Sequence, residues 1–102
     1  GLGGTKICFD ALTNNQIDMY PEYTGTGLLA ILNASSNTVK SLHQNRDSIY
    51  NYVSIQFKQK YNIKWLKPIG FNNAYALMMR QKQAKQLNIK TISDLKRYLE
   101  SK

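Results

Sequence analysis

Histidine and cysteine are almost absent from this sequence, with His43 and Cys8 the single examples, and acidic residues number only six among 102. One cysteine cannot close an internal disulfide, so Cys8 says almost nothing about redox compartment and is expected to pack as a small apolar side chain on a first helix. His43 lies in a polar stretch without potential co-ligands, which makes it a solvated side chain rather than a metal ligand or base. No nucleophile elbow, paired-carboxylate site, phosphate loop or metal-ligand spacing is found. Little is left for acid–base, nucleophilic or metal chemistry, so the sequence argues against an enzyme and calls for no cofactor. No apolar run approaches the ~20 residues of a membrane span, and the N-terminus lacks the basic-then-apolar layout of a signal peptide, so a soluble chain is expected.

What is present points to a folded domain. A hydrophobic content of 42% with seven tyrosines argues against disorder, and 102 residues make one domain at most. The net charge of +8 raises the question of nucleic acid or an anionic membrane surface. The lysines at positions 58, 60, 64, 67, 82, 85, 90, 96 and 102 are spread over several elements instead of gathered in one run, which favours solvated faces. A basic module binding nucleic acid or anionic lipid is the competing reading. Its affinity would fall steeply with salt.

Along the chain, Gly1-Leu2-Gly3-Gly4-Thr5 reads as a turn before a helix over about 5–14, with Cys8, Ala11 and Leu12 on one face. A strand is expected over Ile17–Tyr20, ended by Pro21. The turn Thr24-Gly25-Thr26 leads to a helix over about 26–32, with Thr24 or Thr26 placed to cap it. Residues 33–46 have loop composition. Asp47 or Ser48 begins a helix to about Lys60 whose stripe is Ile49, Val53 and Phe57 with Tyr52 beside them, and Asn62 ends it. Ile63–Leu66 alternates as a strand, Pro68 and Gly70 break it, and Tyr75–Met79 has the continuous apolar character of a strand covered on both sides. A helix from Gln81 buries Ala84 and Leu87, and Thr91 with Asp94 opens a last helix striped by Leu95, Tyr98 and Leu99. Helices alternating with strands predict an α/β domain with helices packed on a mostly parallel sheet, the strands at 17–20 and 75–79 sharing that sheet.

The unusual chemistry lies in Asp18-Met19-Tyr20-Pro21-Glu22-Tyr23-Thr24-Gly25-Thr26-Gly27, where a strand–turn–helix junction presents side chains at the strand's carboxyl end. A capped helix start with a packed tyrosine is the plainer alternative for this stretch. Tyrosines at turn positions, Tyr23 here and Tyr75 after Phe71-Asn72-Asn73-Ala74, suit a cationic organic ligand, because ring faces attract positive charge.

Four runs together resemble one family. They are Leu2-Gly3-Gly4-Thr5, then Ala11-Leu12 with Gln16 through Thr26, then Trp65 through Leu77, and Lys90-Thr91-Ile92-Ser93-Asp94-Leu95. The family is the substrate-binding proteins of ABC importers for glycine betaine, choline and related quaternary-ammonium osmoprotectants. The resemblance implies part of a type II periplasmic-binding fold, in which two lobes close on the ligand. It further implies a tyrosine cage around the trimethylammonium group, delivery to a membrane permease, an extracytoplasmic location and no nucleic-acid partner. By match to the family's motifs, Tyr23 and Tyr75 line the cage and Thr26 holds the ligand's polar end, while Ala74 replaces the family's usual threonine. Residues 1–102 match most of the first lobe without its opening βαβ segment, and the second lobe lies beyond them. Strand edges left open in this way are expected to pair with another copy of the chain.

Overall fold

The elements begin and end at residues whose backbone habits dictate it. In the computed structural model, which describes residues 2–67 and 75–101, helix α1 spans Leu2–Thr13. It therefore starts inside the glycine-rich stretch expected as a turn, because adding a turn to a helix already nucleated costs less than starting one. Asn15 adopts φ 62°, a conformation asparagine tolerates better than most residues, and turns the chain toward the sheet. Strand β1, Met19–Tyr23, lies further along than the expected 17–20 and contains Pro21 instead of ending at it. That is tolerable because β1 is an edge strand.

Helix α2 starts directly at Thr24–Thr26 and widens into a π-helical turn over Gly27–Ile31, closed by the Leu32 N–H on the Gly27 carbonyl at 2.9 Å. The cap position falls on Tyr23, so Thr24 and Thr26 lie within the helix and do not cap it. Residues 33–46 are not all loop. Helix α3, Ser36–Ser41, is capped by Ser35, whose Oγ accepts the Thr38 N–H at 3.2 Å. Helix α4, Arg46–Tyr61, is capped two residues before Asp47, the earlier of the two expected residues, with Asn45 Oδ1 accepting the Ser48 N–H at 3.0 Å. Asn62, left-handed at φ 59°, ends it as expected.

Strands β2, Ile63–Trp65, and β3, Tyr75–Arg80, complete a sheet of order β1-β3-β2 in which both ladders are antiparallel. The mostly parallel sheet is thus corrected. β1 and β2 do run in the same direction, as a strand–helix–strand path predicts, but β3 enters between them in the opposite sense. Residues 66–74 supply the connection into β3, shorter than the dozen or so that a parallel crossover needs. Among the described residues only the isolated bridge Lys67–Thr91 is parallel. The expected break at Pro68 and Gly70, the segment 71–74 and Gly1 lie outside the described residues.

Helices α5, Gln81–Leu87, and α6, Ile92–Glu100, follow. The capping box is present, with Thr91 Oγ1 accepting the Asp94 N–H at 3.0 Å and Asp94 Oδ2 accepting the Thr91 N–H at 3.1 Å. β3 is covered on both faces, as its apolar run predicts. On one side Ala76 and Met78 join Tyr20, Ile63, Trp65, Leu12, Val53 and Phe57 in a core beneath α1 and α4, against which Cys8 packs. On the other, Met79 joins Leu66, Ala84, Ile89 and Leu95 beneath α5 and α6. Helix α6 uses Ile92, Leu95 and Tyr98, at three-residue steps, which leaves Leu99, expected in the stripe, at the rim and 57% exposed.

Two contacts absent from the sequence reading hold the layers together. The Arg80 Nη1 donates to the carbonyls of Leu12, at 2.9 Å, and Ile17, at 2.6 Å, while Nη2 meets Asp18 Oδ1 at 3.1 Å. One side chain on β3 thus fixes the α1–β1 connection. Gly27 lies against the Trp65 ring so closely that a Cβ there would sit 2.9 Å from Cζ2.

Candidate functional site

Strand alternation decides which way each residue of Met19–Tyr23 faces. Tyr20 and Glu22 turn into the core, and Met19, Pro21 and Tyr23 turn to the other face. Tyr23, at the carboxyl end of β1, is paired in register with Tyr75, the first residue of β3. Opposite residues of an antiparallel ladder share a face, and the two rings meet with centroids 4.8 Å apart and planes inclined at 60°. Both remain open to solvent, Tyr23 at 59% and Tyr75 at 43%. A pair of large rings left this exposed is not consolidating a core.

Beside Tyr23 the first turns of α2 form a groove of about 440 Å³ lined by Tyr23, Gly25, Thr26, Leu29 and Ala30. Its size lies within the range of organic-ligand sites. Thr26 and Tyr23 therefore line one cavity, and Tyr75 adjoins it through its contact with Tyr23. Three lining residues, Gly25, Leu29 and Ala30, were not singled out from sequence. Leu29 was legible only as one of several helix-forming apolar residues, and the π-helical turn alters which side chains follow Thr26 round the axis.

Behind the groove, Glu22 is a buried carboxylate whose Oε1 accepts the Tyr23 N–H at 3.0 Å. It places negative charge at the start of α2, where free N–H groups point. Burial first, and then the Glu22 charge, push the Tyr20 phenol above its ordinary range, its hydroxyl being buried beside that carboxylate. His43 takes φ 52° in the turn after α3 and lines a shallow exposed hollow with Val39, Lys40 and Gln44. Among the described residues no three His, Cys, Asp or Glu side chains gather as a metal site would require.

The model for the substrate binding domain of the ABC-type glycine betaine transport system matches residues 1–102. The chain belongs to this family. It is a family of transport substrate-binding domains and not of enzymes. Similar proteins include a glycine betaine-binding protein, YehZ, of Escherichia coli, 30% identical over 99 residues that cover 97% of this chain and 31% of that protein. A glycine-betaine-binding protein of Pseudomonas aeruginosa is 35% identical over 97% of this chain and 29% of its own length. A protein of Helicobacter pylori named as both an ergothioneine transport permease and an ergothioneine binding protein, EgtU, is 34% identical over 91% of this chain and 15% of its own length. The chain thus spans about three tenths or less of these relatives. As a member of the glycine betaine-transport family it is a mixed α/β portion of a binding domain, and among its described residues no helix is long and apolar enough to cross a membrane.

Proposed function

We propose that this chain forms most of the first lobe of a two-lobed solute receptor that captures a quaternary-ammonium compound outside the cytoplasm and delivers it to a membrane permease. The observation that carries this reading is the exposed Tyr23–Tyr75 pair beside the groove containing Thr26. A quaternary ammonium has no proton to donate, so recognition must come from its charge and its methyl shape, and ring faces meet both at ~0.5–2 kcal/mol per contact. The Thr26 hydroxyl can donate to a carboxylate at the ligand's other end. Glycine betaine and ergothioneine, named in the relatives, both combine a trimethylammonium group with a carboxylate. The second lobe completes the enclosure, because two rings and a groove open on one side leave much of such a ligand in water.

Calorimetric titration of glycine betaine, choline and carnitine into the full-length protein, with dimethylglycine as the tertiary-amine control, tests the proposal. At least one quaternary amine should bind at both low and high salt, and dimethylglycine more weakly. Equal affinity for the quaternary and tertiary amines, or no binding by any of them, would exclude it. Among the described residues neither β1 nor β2 has a strand on its outer side, so the 102-residue chain alone should associate through these edges. Light scattering that finds only monomer at tens of micromolar would oppose that association.

A further inference from the structure

The lysines are less evenly solvated than their spread in sequence implies. Lys64 on β2, Lys85 on α5 and Lys90 in the turn before α6 converge on a pocket of about 180 Å³, with Gln81 and Asn88 also in its wall. No acidic side chain lines it, and the ion pairs among the described residues, Lys6–Asp10, Arg80–Asp18 and Arg97–Asp94, involve none of its lysines. Asp94 is close in sequence but committed elsewhere. Its Oδ2 accepts the N–H groups of Lys90, at 2.9 Å, and Thr91, at 3.1 Å, and Arg97 holds its other oxygen. Partial burial, followed by the charges of Lys58, Lys90 and Lys67, holds the Lys64 ammonium below its ordinary pKa. Ammonium groups gathered without a counter-charge repel one another, and an anion relieves that repulsion.

We propose that the pocket between β2, α5 and the 88–90 turn is a binding site for a small oxyanion, namely phosphate or a phosphate-bearing group. Its volume decides the ligand's size, since it is below the roughly 300–1,000 Å³ of organic-ligand pockets yet several times the ~30 Å³ share of a water. Lysine ammonium groups are point charges suited to a phosphate's several oxygens. The Gln81 Oε1 has no hydrogen-bond partner, so this amide is free to turn its N–H toward an oxyanion. The site is separate from the tyrosine groove. Lys64 pairs with Met79, four residues along β3 from Tyr75, or roughly 13 Å at the rise of an extended strand.

The test is titration of sodium phosphate into the full-length protein at constant ionic strength, followed by backbone amide NMR. Saturable shifts confined to the neighbourhood of Lys64 and residues 81–90 are expected. The double substitution Lys64→Gln, Lys90→Gln should weaken binding about tenfold or more, and Lys40→Gln, Lys96→Gln, which removes the same charge elsewhere, less than about twofold. Phosphate should also raise the melting temperature of the native chain but not that of the Lys64/Lys90 variant. A second arm adds phosphatidylcholine vesicles with and without phosphatidic acid. Sedimentation with the acidic vesicles that needs Lys64 and Lys90 assigns the site to a lipid headgroup, and phosphate binding without sedimentation assigns it to the free ion. Shifts that are linear in phosphate, spread over all lysines, or equal in the two double variants would overturn the proposal.

Discussion

Tyr23 and Tyr75 stand opposite each other at the end of the β1–β3 ladder, with ring centroids 4.8 Å apart. Pairing in register, and not loop flexibility, brings together two residues 52 positions apart in sequence, so their spacing is set before any ligand arrives. If the rings hold a quaternary ammonium, Tyr23→Ala or Tyr75→Ala in the full-length protein should reduce affinity by roughly 1–3 kcal/mol, and the Phe variants by less. Thr26→Val should weaken a carboxylate-bearing ligand more than choline. Calorimetry with betaine and choline checks both, and undiminished affinity in the double alanine variant would place the site elsewhere.

Gly25 and Gly27 are two residues apart and conserve space for different reasons. A Cβ on Gly25 meets nothing within 4 Å, whereas one on Gly27 would strike the Trp65 ring, which the core holds at 2% exposure. Gly27→Ala should therefore destabilise the fold by about 1–3 kcal/mol through overpacking. Gly25→Ala, in a helical turn, should leave stability unchanged or raise it by about 0.5–1 kcal/mol, while its methyl narrows the groove and weakens ligand binding. Urea unfolding of the two variants, with titration of the second, separates the effects. Equal stability losses would mean that Trp65 yields to the added methyl.

Arg80 should be one of the costliest polar residues to remove. Arg80→Ala takes the donors from the Leu12 and Ile17 carbonyls at once and should reduce stability by about 2–4 kcal/mol. Arg80→Lys, which lacks the forked donors, should recover only part of that loss. Unfolding midpoints in denaturant measure both. A loss below 0.5 kcal/mol in the alanine variant would show that α1 and β1 hold their connection without it.

Stability should fall at alkaline pH. Burial pushes the Tyr50 phenol up to about 12, and its hydroxyl donates to the Trp65 carbonyl at 3.0 Å. An unfolded tyrosine titrates near ~10, so between there and about 12 the unfolded chain has released a proton that the native one keeps. The contribution is complete below the unfolded value and is lost as pH rises, on the order of 2 kcal/mol in all. Tyr50→Phe should flatten the decline while costing about 1–2 kcal/mol at neutral pH, because the Trp65 carbonyl loses its donor. Denaturant curves from pH 8 to 12 would show it, and an unchanged slope in the variant would refute the assignment.

How much of this was legible in sequence depended on whether the governing interaction is local. The α6 capping box, the Asn62 stop and the two-sided apolar run of β3 are encoded within a few residues, and each appears where expected. The placement of Val53 and Phe57 in the core follows equally from helical spacing. Sheet direction did not, because alternation of helices and strands gives the sense of β1 relative to β2 without revealing that β3 inserts between them. The short helix α3 was hidden by loop-like composition, although Ser35 is an ordinary N-cap. At the candidate site the motifs singled out Tyr23, Thr26 and Tyr75. Gly25, Leu29 and Ala30 become visible as lining only once the π-helical turn orients them.

The insertion of β3 between two strands makes the strands that carry the two tyrosines mechanically unequal. Among the described residues, β3 is paired with both neighbours at Met78 and Met79 and with β1 alone at Tyr75, whereas β1 is paired with β3 alone along its whole length. Local opening begins where fewest backbone bonds must break. If the two rings hold a quaternary ammonium, bulkier head groups should be accommodated by movement of β1 more than of β3, which stays anchored at its far end by β2.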